Sequence, residues 1–466
     1  MKKLALFKTL LLVCILMSLA TPVLAAESGH GEAHVPPLWL VSFFVVLILA
    51  IAILPLTPAH HWWENNWNRL LVAVACGLYP TIYYLQHDWH VLEHAMVVEY
   101  IPFIVLLGAL YMIAGGIRLT GDLEASPIVN TTFIAVGTAL ASFIGTTGAS
   151  MLLIRPILQT NRERKHRVHT VIFFIFLVSN IGGSLLPIGD PPLFLGYLAG
   201  IPFFWTLGLW KIWLPLCLTM LLIYFLLDTY YHKKESPRMK EWDHEAVRPM
   251  RVEGLINFVW LAGVVACVIF VNQNSSIELF QKTFMREGIM VLLVALSYLT
   301  SPKGVRKANR FTMHPIAEVA ALFLGIFVAV QPALALLSIR GGELGVDTTM
   351  EFFWGTGILS AFLDNAPTYL VFFKTAAGMA AAGGPGAEQV LIGTGIDKVP
   401  ELFLVAISAG AVFMGAMTYI GNGPNFMVKA IAEEAGIRMP SFGGYMKWSC
   451  LFLLPVFVVL TLIFFG

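Results

Sequence analysis

The sequence predicts an all-α polytopic membrane protein with two inverted-topology repeats, each containing a re-entrant hairpin and a broken transmembrane helix. The 466 residues are 58% hydrophobic and 12% charged, with a mean hydropathy of +0.78, whereas soluble domains carry about 25% charged residues. Several apolar segments are interrupted by Gly, Pro and polar residues, and the interruptions in the first half resemble those in the second. The net charge of +1 indicates no nucleic-acid partner, so the lipid bilayer is the expected environment.

Residues 1–26 are predicted to be a signal peptide, because Lys2 and Lys3 precede an apolar run and Val23-Leu24-Ala25 supplies a small-residue cleavage site. An uncleaved first membrane helix is the alternative, since Lys8 interrupts the short run. A cleaved signal would leave the mature N-terminus outside the cytoplasm. The remaining chain divides into a first transmembrane half, a cytoplasmic linker and a second transmembrane half, at residues 27–231, 232–253 and 254–466.

Uninterrupted apolar segments supply the predicted simple spans. The lengths are those of membrane helices, and the polar sequences between them are predicted to be loops. A small-residue stretch at 375–395 is predicted to lie at the surface. The simple spans are residues 38–56, 70–85, 100–117, 205–230, 255–271, 288–301, 316–337 and 446–465.

The apolar segment 173–204 is interrupted by three glycines, three prolines, Asn180 and Asp190. Glycine and proline let the chain leave the helical conformation, and lipid-exposed backbone cannot break in this way because its polar groups would stay unsatisfied. The break must therefore be buried in protein or line a watery cavity. A carboxylate at that depth is a candidate functional group, so Asp190 is a candidate, with a turn residue before two prolines as the alternative.

Three further apolar segments carry comparable interruptions, and their order repeats. Residues 143–149 resemble 362–368, and later in each half 188–194 resemble 420–426. Ala-Gly-Ile at 199–201 then recurs at 435–437, and an upstream Leu-Gly pair also recurs. Four matches in the same order predict a duplication of the kind found in transporters.

Basic residues determine the predicted orientation. The loops at 155–167, 232–251 and 302–310 are rich in Lys and Arg, which places them in the cytoplasm. With an external N-terminus, residues 131–154 must then enter and leave on the cytoplasmic side, and 352–373 must do so on the opposite side. The two hairpins would meet near the midplane; two ordinary kinked helices are the alternative.

At these residues the chain resembles the ion-transporter superfamily, which includes arsenite pump subunits, citrate and dicarboxylate carriers, and NhaD-type sodium/proton antiporters. The matching positions are 145–150 with 189–191, and 364–368 with 421–425; the stretch 179–192 is the most specific match. The resemblance covers residue 38 to the end of the chain. It implies two inverted hairpins, each followed by an unwound helix, and a possible homodimer in the bacterial inner membrane.

The predicted function is sodium/proton antiport, because two buried carboxylates favour a cation or a proton over an anion. A carboxylate that can be protonated lets H⁺ and Na⁺ compete for one site. Asp190 and Asp364 are therefore the predicted Na⁺ ligands, although Asp364 could instead be a helix N-cap. No cofactor is expected besides the transported ions. The remaining predicted binding residues lie at the hairpin tips and breaks: Asn180, Thr146, Thr147, Asn365, Thr368, Asn422, Asn425, Gly189 and Gly421.

The alternative functions are an anion carrier and an enzyme. A citrate- or dicarboxylate-type organic anion carrier would keep the fold, with residues 145–150 and 424–425 holding a carboxylate at helix N-termini and the aspartates holding a coupling cation. An intramembrane enzyme is not expected, because no His lies inside a predicted span and neither His-Glu-x-x-His nor Gly-x-Ser-x-Gly occurs.

Overall fold

The computed structural model describes residues 35–271, 284–386, 388, 390–393 and 398–466. The predicted signal peptide, residues 1–26, lies outside the described residues. Helices dominate the described part of the chain, which confirms the predicted all-α fold. The α-helices, labelled in chain order, are α1 Val41–Ile53, α2 His60–Trp63, α3 Asn66–His87, α4 Trp89–Glu93, α5 Ile101–Ala114, α6 Pro127–Ile144, α7 Thr146–Thr160, α8 Val168–Leu177, α9 Pro191–Leu198, α10 Trp210–Lys233, α11 Pro237–Ala246, α12 Ile256–Phe270, α13 Met285–Thr300, α14 Val305–Ala308, α15 His314–Ala329, α16 Gln331–Arg340, α17 Thr349–Phe362, α18 Asn365–Ala381, α19 Glu401–Met414, α20 Gly423–Glu434 and α21 Phe442–Phe464.

Shorter elements complete the backbone. A π-helical turn, His94–Tyr100, joins α4 to α5. The strands are β1 Arg118–Asp122, β2 Arg248–Glu253, β3 Leu391–Ile392 and β4 Val399–Pro400. The 3₁₀ helices are Leu38–Leu40, Leu54–Leu56, Ile181–Ser184, Pro187–Gly189, Phe203–Leu209, Gly341–Leu344 and Gly415–Met417.

Within the described residues, four helical stretches are each long and apolar enough to cross a membrane: Trp89–Ala114, Pro127–Ile144, Phe203–Lys233 and Phe442–Phe464. A fifth is obtained if α15 and α16 count as one span bent by 44°. The sequence predicted one straight span here. The bend follows from Pro332 near the start of α16, because proline cannot continue the helix before it.

Both predicted hairpins are present. Hairpin 1 consists of α6 and α7, which pack against each other and are joined only by Gly145. Its φ of +78° lies in a region that residues with a Cβ avoid. Hairpin 2 consists of α17 and α18, joined through Leu363 and Asp364. Because the two arms of each hairpin pack side by side, the alternative of two kinked helices does not hold.

Helix α18 continues further than the sequence predicted. The small-residue stretch from residue 375 was expected at the surface, but Thr375, Ala376 and Met379 are buried inside hairpin 2. Gly378 explains the packing, since a Cβ there would lie 2.5 Å from the carbonyl oxygen of Leu337. Small residues here allow α16 and α18 to approach closely, as in other membrane helix pairs.

Both predicted broken helices are also present. Break 1, residues 178–190, separates α8 from α9, and break 2, residues 415–422, separates α19 from α20. The helices after the breaks end alike: Gly200 and Gly436 have φ of +97° and +82°, and the next residue of each donates its N–H to the carbonyl five residues earlier at 3.0 Å. This shared C-terminal motif supports the repeat.

The helices pack in two groups. Helices α1, α3, α5, α12, α13 and α15 contact one another and are called the outer helices below. The two hairpins and the broken helices contact one another and also α10 and α21; together they are called the core. Residues of both groups line a cavity at the interface between them.

The predicted polar loop 118–130 contains a strand that the sequence analysis did not anticipate. Strand β1 pairs antiparallel with β2 in the predicted linker, so that Arg118 faces Glu253 and Asp122 faces Arg248. A bulge occurs at Gly121, whose φ is +120°. The small sheet connects the end of α5 to the start of α12, and the linker also contains α11.

Candidate functional site

The two hairpin tips and the two breaks meet at Asp190, which is 2% exposed. Its Oδ1 accepts hydrogen bonds from the Thr146 hydroxyl at 2.9 Å and from Asn422 Nδ2 at 3.0 Å. Its Oδ2 accepts one from Asn365 Nδ2 at 2.5 Å. These three donors are neutral and come from hairpin 1, break 2 and hairpin 2. A carboxylate of break 1 thus joins all four interrupted segments.

The backbone explains why the Asp190 side chain is available for these contacts. Asp190 is extended, with φ −145° and ψ 144°, and it precedes α9, which begins at Pro191 and Pro192. Neither proline has an N–H to donate to a capping side chain, and the Asp190 side chain caps no backbone group. A role as a turn residue therefore does not explain why the Asp190 carboxylate is buried among three hydrogen-bond donors.

Asp364 is placed differently. It is the N-cap of α18, and its Oδ1 accepts the N–H of Ala366 at 3.2 Å. Thr368 donates its hydroxyl to the Asp364 carbonyl at 3.0 Å. The predicted alternative, an N-cap, is thus one of its roles. The half-buried residue also lines a cavity between the core and the outer helices.

Two buried amide oxygens near Asp190 have no hydrogen-bond donor within the described part of the chain. Asn180 donates through Nδ2 to the Ile175 carbonyl at 2.8 Å and to Asn425 Oδ1 at 2.7 Å, which leaves Asn180 Oδ1 unpaired. Asn365 Oδ1 is also unpaired. Unsatisfied buried acceptors are costly. Such oxygens beside a carboxylate, between unwound helices, are suited to a small cation.

The space beside these oxygens exists because residue 415 is glycine. A Cβ at Gly415 would lie 3.1 Å from Asn180 Oδ1 and 3.7 Å from Asn365 Nδ2. Asn425 braces the same region, because its Nδ2 donates to the carbonyls of Gly415 and Thr418 at 2.8 and 2.9 Å. The amide of Asn425 therefore holds break 2 open while its Oδ1 orients Asn180.

A cavity of about 510 Å³, called the core cavity below, lies between the core and the outer helices. This volume is within the range of small-molecule sites. Asp190 lies directly behind the wall, between Gly189 and Pro191, which line it. Core residues on the wall include Gly145, Thr146, Thr147, Gly189, Asp364, Asn422 and Gly423, and outer residues include His60, Arg69, Tyr111, His314 and Glu318.

The two predicted glycines serve close backbone approach. A Cβ at Gly189 would lie 2.2 Å from the Gly183 carbonyl oxygen, and a Cβ at Gly421 would lie 2.6 Å from that of Gly415. Each break therefore folds onto itself at an equivalent pair of glycines. The predicted site residues therefore lie in one region. Within it, Gly189 and Gly421 allow close backbone packing, and Thr147 lines the core cavity.

Sequence reasoning missed hydroxyl groups that satisfy carbonyls freed by the breaks. Ser142 in hairpin 1 donates to the Gly182 carbonyl at 2.5 Å, and Ser360 in hairpin 2 donates to that of Ala411 at 2.6 Å. Thr418 donates to the Ala361 carbonyl. The sequence feature that could have indicated them is a serine a few positions before each hairpin tip, in an otherwise apolar helix: Ser142 before Gly145 and Ser360 before Asp364.

A second missed feature is a buried ionic cluster around Asp228, which is 0% exposed. Asp228 contacts Arg164 and His169 Nε2, each at 2.7 Å, and accepts from Asn130 Nδ2 at 3.1 Å. His169 precedes the predicted segment 173–204 and is buried in the first turn of the apolar helix α8. The cluster joins the base of hairpin 1 to α8 and α10.

Comparison with known proteins gives one family. A family model named CitMHS_2 and described as putative citrate transport matches residues 32–465. No curated protein matches the chain. The match covers nearly all of the sequence, including both hairpins, both breaks and the core cavity.

Proposed function

The chain belongs to this citrate-transport family, and from that premise we propose that it is a secondary active carrier that moves a citrate- or dicarboxylate-type anion together with a cation. The family match supports this alternative better than the sodium/proton antiport that the sequence analysis favoured. The observation that carries the proposal is the core cavity, where the N-terminal ends of α7 and α20 adjoin the oxygen cluster around Asp190.

The anion would bind at the helix N-termini. Helix α7 begins at Thr146 and α20 at Gly423, and both residues line the core cavity. The first N–H groups of a helix have no intrahelical acceptor, and the helix dipole adds positive potential there. A carboxylate is the kind of ligand that such termini accept. Thr147 adds a hydroxyl to the same wall.

The cation would bind behind the anion, between Asp190 and the unpaired oxygens of Asn180 and Asn365. An anion close to Asp190 without a cation would be repelled, since two like charges in a partly dry site interact strongly. A bound Na⁺ removes that repulsion. Binding of the two ions is then positively coupled, and by thermodynamic linkage each raises the affinity of the other.

Alternating access would come from displacement of the core against the outer helices, because the core cavity lies between them. Inverted-repeat transporters commonly work by movement of one bundle against the other around a fixed site. We place the protein in the bacterial cytoplasmic membrane, with a homodimer as its expected state.

Sodium/proton antiport remains a second candidate on one observation. The hydrogen-bond partners of Asp190 are all neutral, so no basic side chain among them would need to be displaced by a proton or a Na⁺. The same carboxylate could therefore exchange the two ions without an anion present.

Reconstitution into proteoliposomes separates the candidates. Under an inward Na⁺ gradient, the proposal expects uptake of labelled citrate or a labelled dicarboxylate that protein-free liposomes and Asp190→Asn proteoliposomes lack. Antiport instead expects a Na⁺-dependent pH-dye signal without any organic anion. Robust dye response together with absent anion uptake would refute the carrier proposal.

A further inference from the structure

A second cavity, of about 430 Å³, lies between the β1–β2 sheet and the C-terminal half of α7. It is called the sheet cavity below. It shares no lining residue with the core cavity, and the predicted topology places it on the cytoplasmic side. Its volume is also within the range of small-molecule sites. Nothing in the proposed transport step uses it.

The sheet cavity is lined by more positive than negative charges. Its walls carry four arginines against two carboxylates, Asp122 and Glu163, so the lining has two net positive charges. Two arginines, Arg155 and Arg162, lie on or just after α7. The other two, Arg118 and Arg248, lie on the opposing sheet. A ligand between the walls would therefore meet guanidinium groups on both sides.

Two of these guanidinium groups are only loosely engaged by protein. Arg155 Nη1 lies 3.8 Å from Glu434 Oε2, and its Nε is buried without a hydrogen-bond partner among the described residues. Arg118 Nη1 lies 3.5 Å from Glu253 Oε2. These separations are at or beyond the limit of a good hydrogen bond, so donors remain for a ligand.

Two carboxylates lie among these arginines. Asp122 is 5% exposed; its Oδ2 accepts from Gln159 Nε2 at 2.9 Å, but its Oδ1 has no donor within the described ranges. Glu163 Oε2 is unpaired in the same sense. The positive-inside rule explains arginines on this side of the membrane. It does not explain why four of them line one cavity from two opposing walls.

We infer that the sheet cavity binds a small soluble ligand with two or more oxyanion groups. The planar guanidinium of arginine matches phosphate and carboxylate groups with paired hydrogen bonds. Phosphate and carboxylate esters or acids share this chemistry, and the inference does not depend on the proposed transport substrate.

The test measures binding to the full chain in phosphatidylcholine nanodiscs by calorimetry. The probes are fructose 1,6-bisphosphate for separated phosphates, citrate for carboxylates, and pyrophosphate as a compact diphosphate. Arg162→Gln and Arg248→Gln alter exposed side chains on opposite walls. Each should weaken binding of the recognised probe at least tenfold.

Arg251→Gln is the matched control. Arg251 is exposed on the same strand as Arg248 but does not line the sheet cavity, so this variant should retain affinity within about twofold. Competition by nanodiscs containing phosphatidylglycerol would assign the oxyanion to a lipid headgroup and would overturn the soluble ligand. Absence of binding by every probe, or equal losses in the Arg248 and Arg251 variants, would overturn the site.

Discussion

Asn365 at the tip of hairpin 2 donates its amide to Asp190 in break 1, across the boundary between the two repeats. Thr146 and Asn422 complete the shell of donors. The carboxylate is therefore held by one group from every other interrupted segment. This arrangement makes Asp190 the position at which a charge change should have the largest effect on transport.

Asp190→Asn should lower cation-coupled uptake at least 100-fold. One carboxylate oxygen would be replaced by an amide nitrogen, which cannot accept the hydrogen bond that Asn365 or Asn422 donates at this position. The cation would also lose the negative charge of the carboxylate in the proposed site. Uptake of labelled anion over a series of Na⁺ concentrations measures the effect. Glu343→Gln is the control, because Glu343 is exposed outside the core cavity; wild-type uptake by D190N would remove Asp190 from the mechanism.

Gly415→Ala should raise the Na⁺ concentration for half-maximal uptake at least tenfold. The added methyl would occupy the space 3.1 Å from Asn180 Oδ1 and so compete with a cation there. Gly443→Ala is matched in chemistry, since Gly443 is also helical but has no atom near its Cβ position. An unchanged Na⁺ dependence in G415A would show that the cation does not use these amide oxygens.

Gly145→Ala separates backbone strain from function. Gly145 has a φ of +78° and a ψ of 148° at the tip of hairpin 1, a backbone region that is essentially restricted to glycine and costs another residue about 1–3 kcal/mol. Gly345→Ala is a milder strain control, because Gly345 has φ +65° and ψ 32°, where an Ala costs about 1 kcal/mol, and it has open space around it away from the core cavity. Both variants should fold with reduced thermal stability, G145A more so, but only G145A should lose transport. Equal transport in the two variants would argue against a role for this tip.

The hairpins and breaks were predictable because their causes are local. Gly145 and the prolines after Asp190 leave the helix whatever lies around them. Asp228 was not predicted, because its partners Arg164 and His169 lie 64 and 59 residues away in sequence. Strand β1 was missed for the same reason, since its partner β2 follows only after the whole core of the first repeat.

The hydrogen bonding of individual side-chain oxygen atoms could also not be predicted from the sequence. Asn180 and Asn425 were both predicted as binding residues. The Nδ2 of Asn425 donates hydrogen bonds to two backbone carbonyls, whereas Asn180 Oδ1 has no hydrogen-bond donor among the described residues. That difference depends on how break 1 crosses break 2. Composition and spacing contain no information about the crossing.

Removing the carboxylate at Asp228 should destabilise the fold by about 3–5 kcal/mol, because Arg164 would be left buried without its partner. Asp228→Leu tests this by thermal unfolding in detergent. The double variant with Arg164→Leu should recover much of the loss, since both charges are then absent. A double variant no more stable than the single one would mean that the cluster acts through packing and not through charge.

The linker should make stability depend on pH through Asp243. This residue is 6% exposed in α11, and burial raises the pKa of its carboxyl to about 6, with an opposing hydrogen bond from the Ala125 N–H and additional repulsion from nearby acidic residues. Between about pH 4 and 6 the folded chain therefore holds a proton that the unfolded chain has lost. The contribution of Asp243 to the free energy of unfolding therefore falls as the pH rises from about 4 to about 6, and it stays low at higher pH.

Asp243→Asn should consequently flatten the pH dependence of the unfolding midpoint between pH 4 and 6. At pH 7.5 it should stabilise the protein by about 1 kcal/mol, allowing for solvent screening. The amide oxygen can still accept from Ala125, so the linker contact is kept. Glu241→Gln on the exposed face of the same helix controls for loss of a charge. If D243N and E241Q shift the midpoint equally at every pH, the buried carboxyl of Asp243 is not the titrating group.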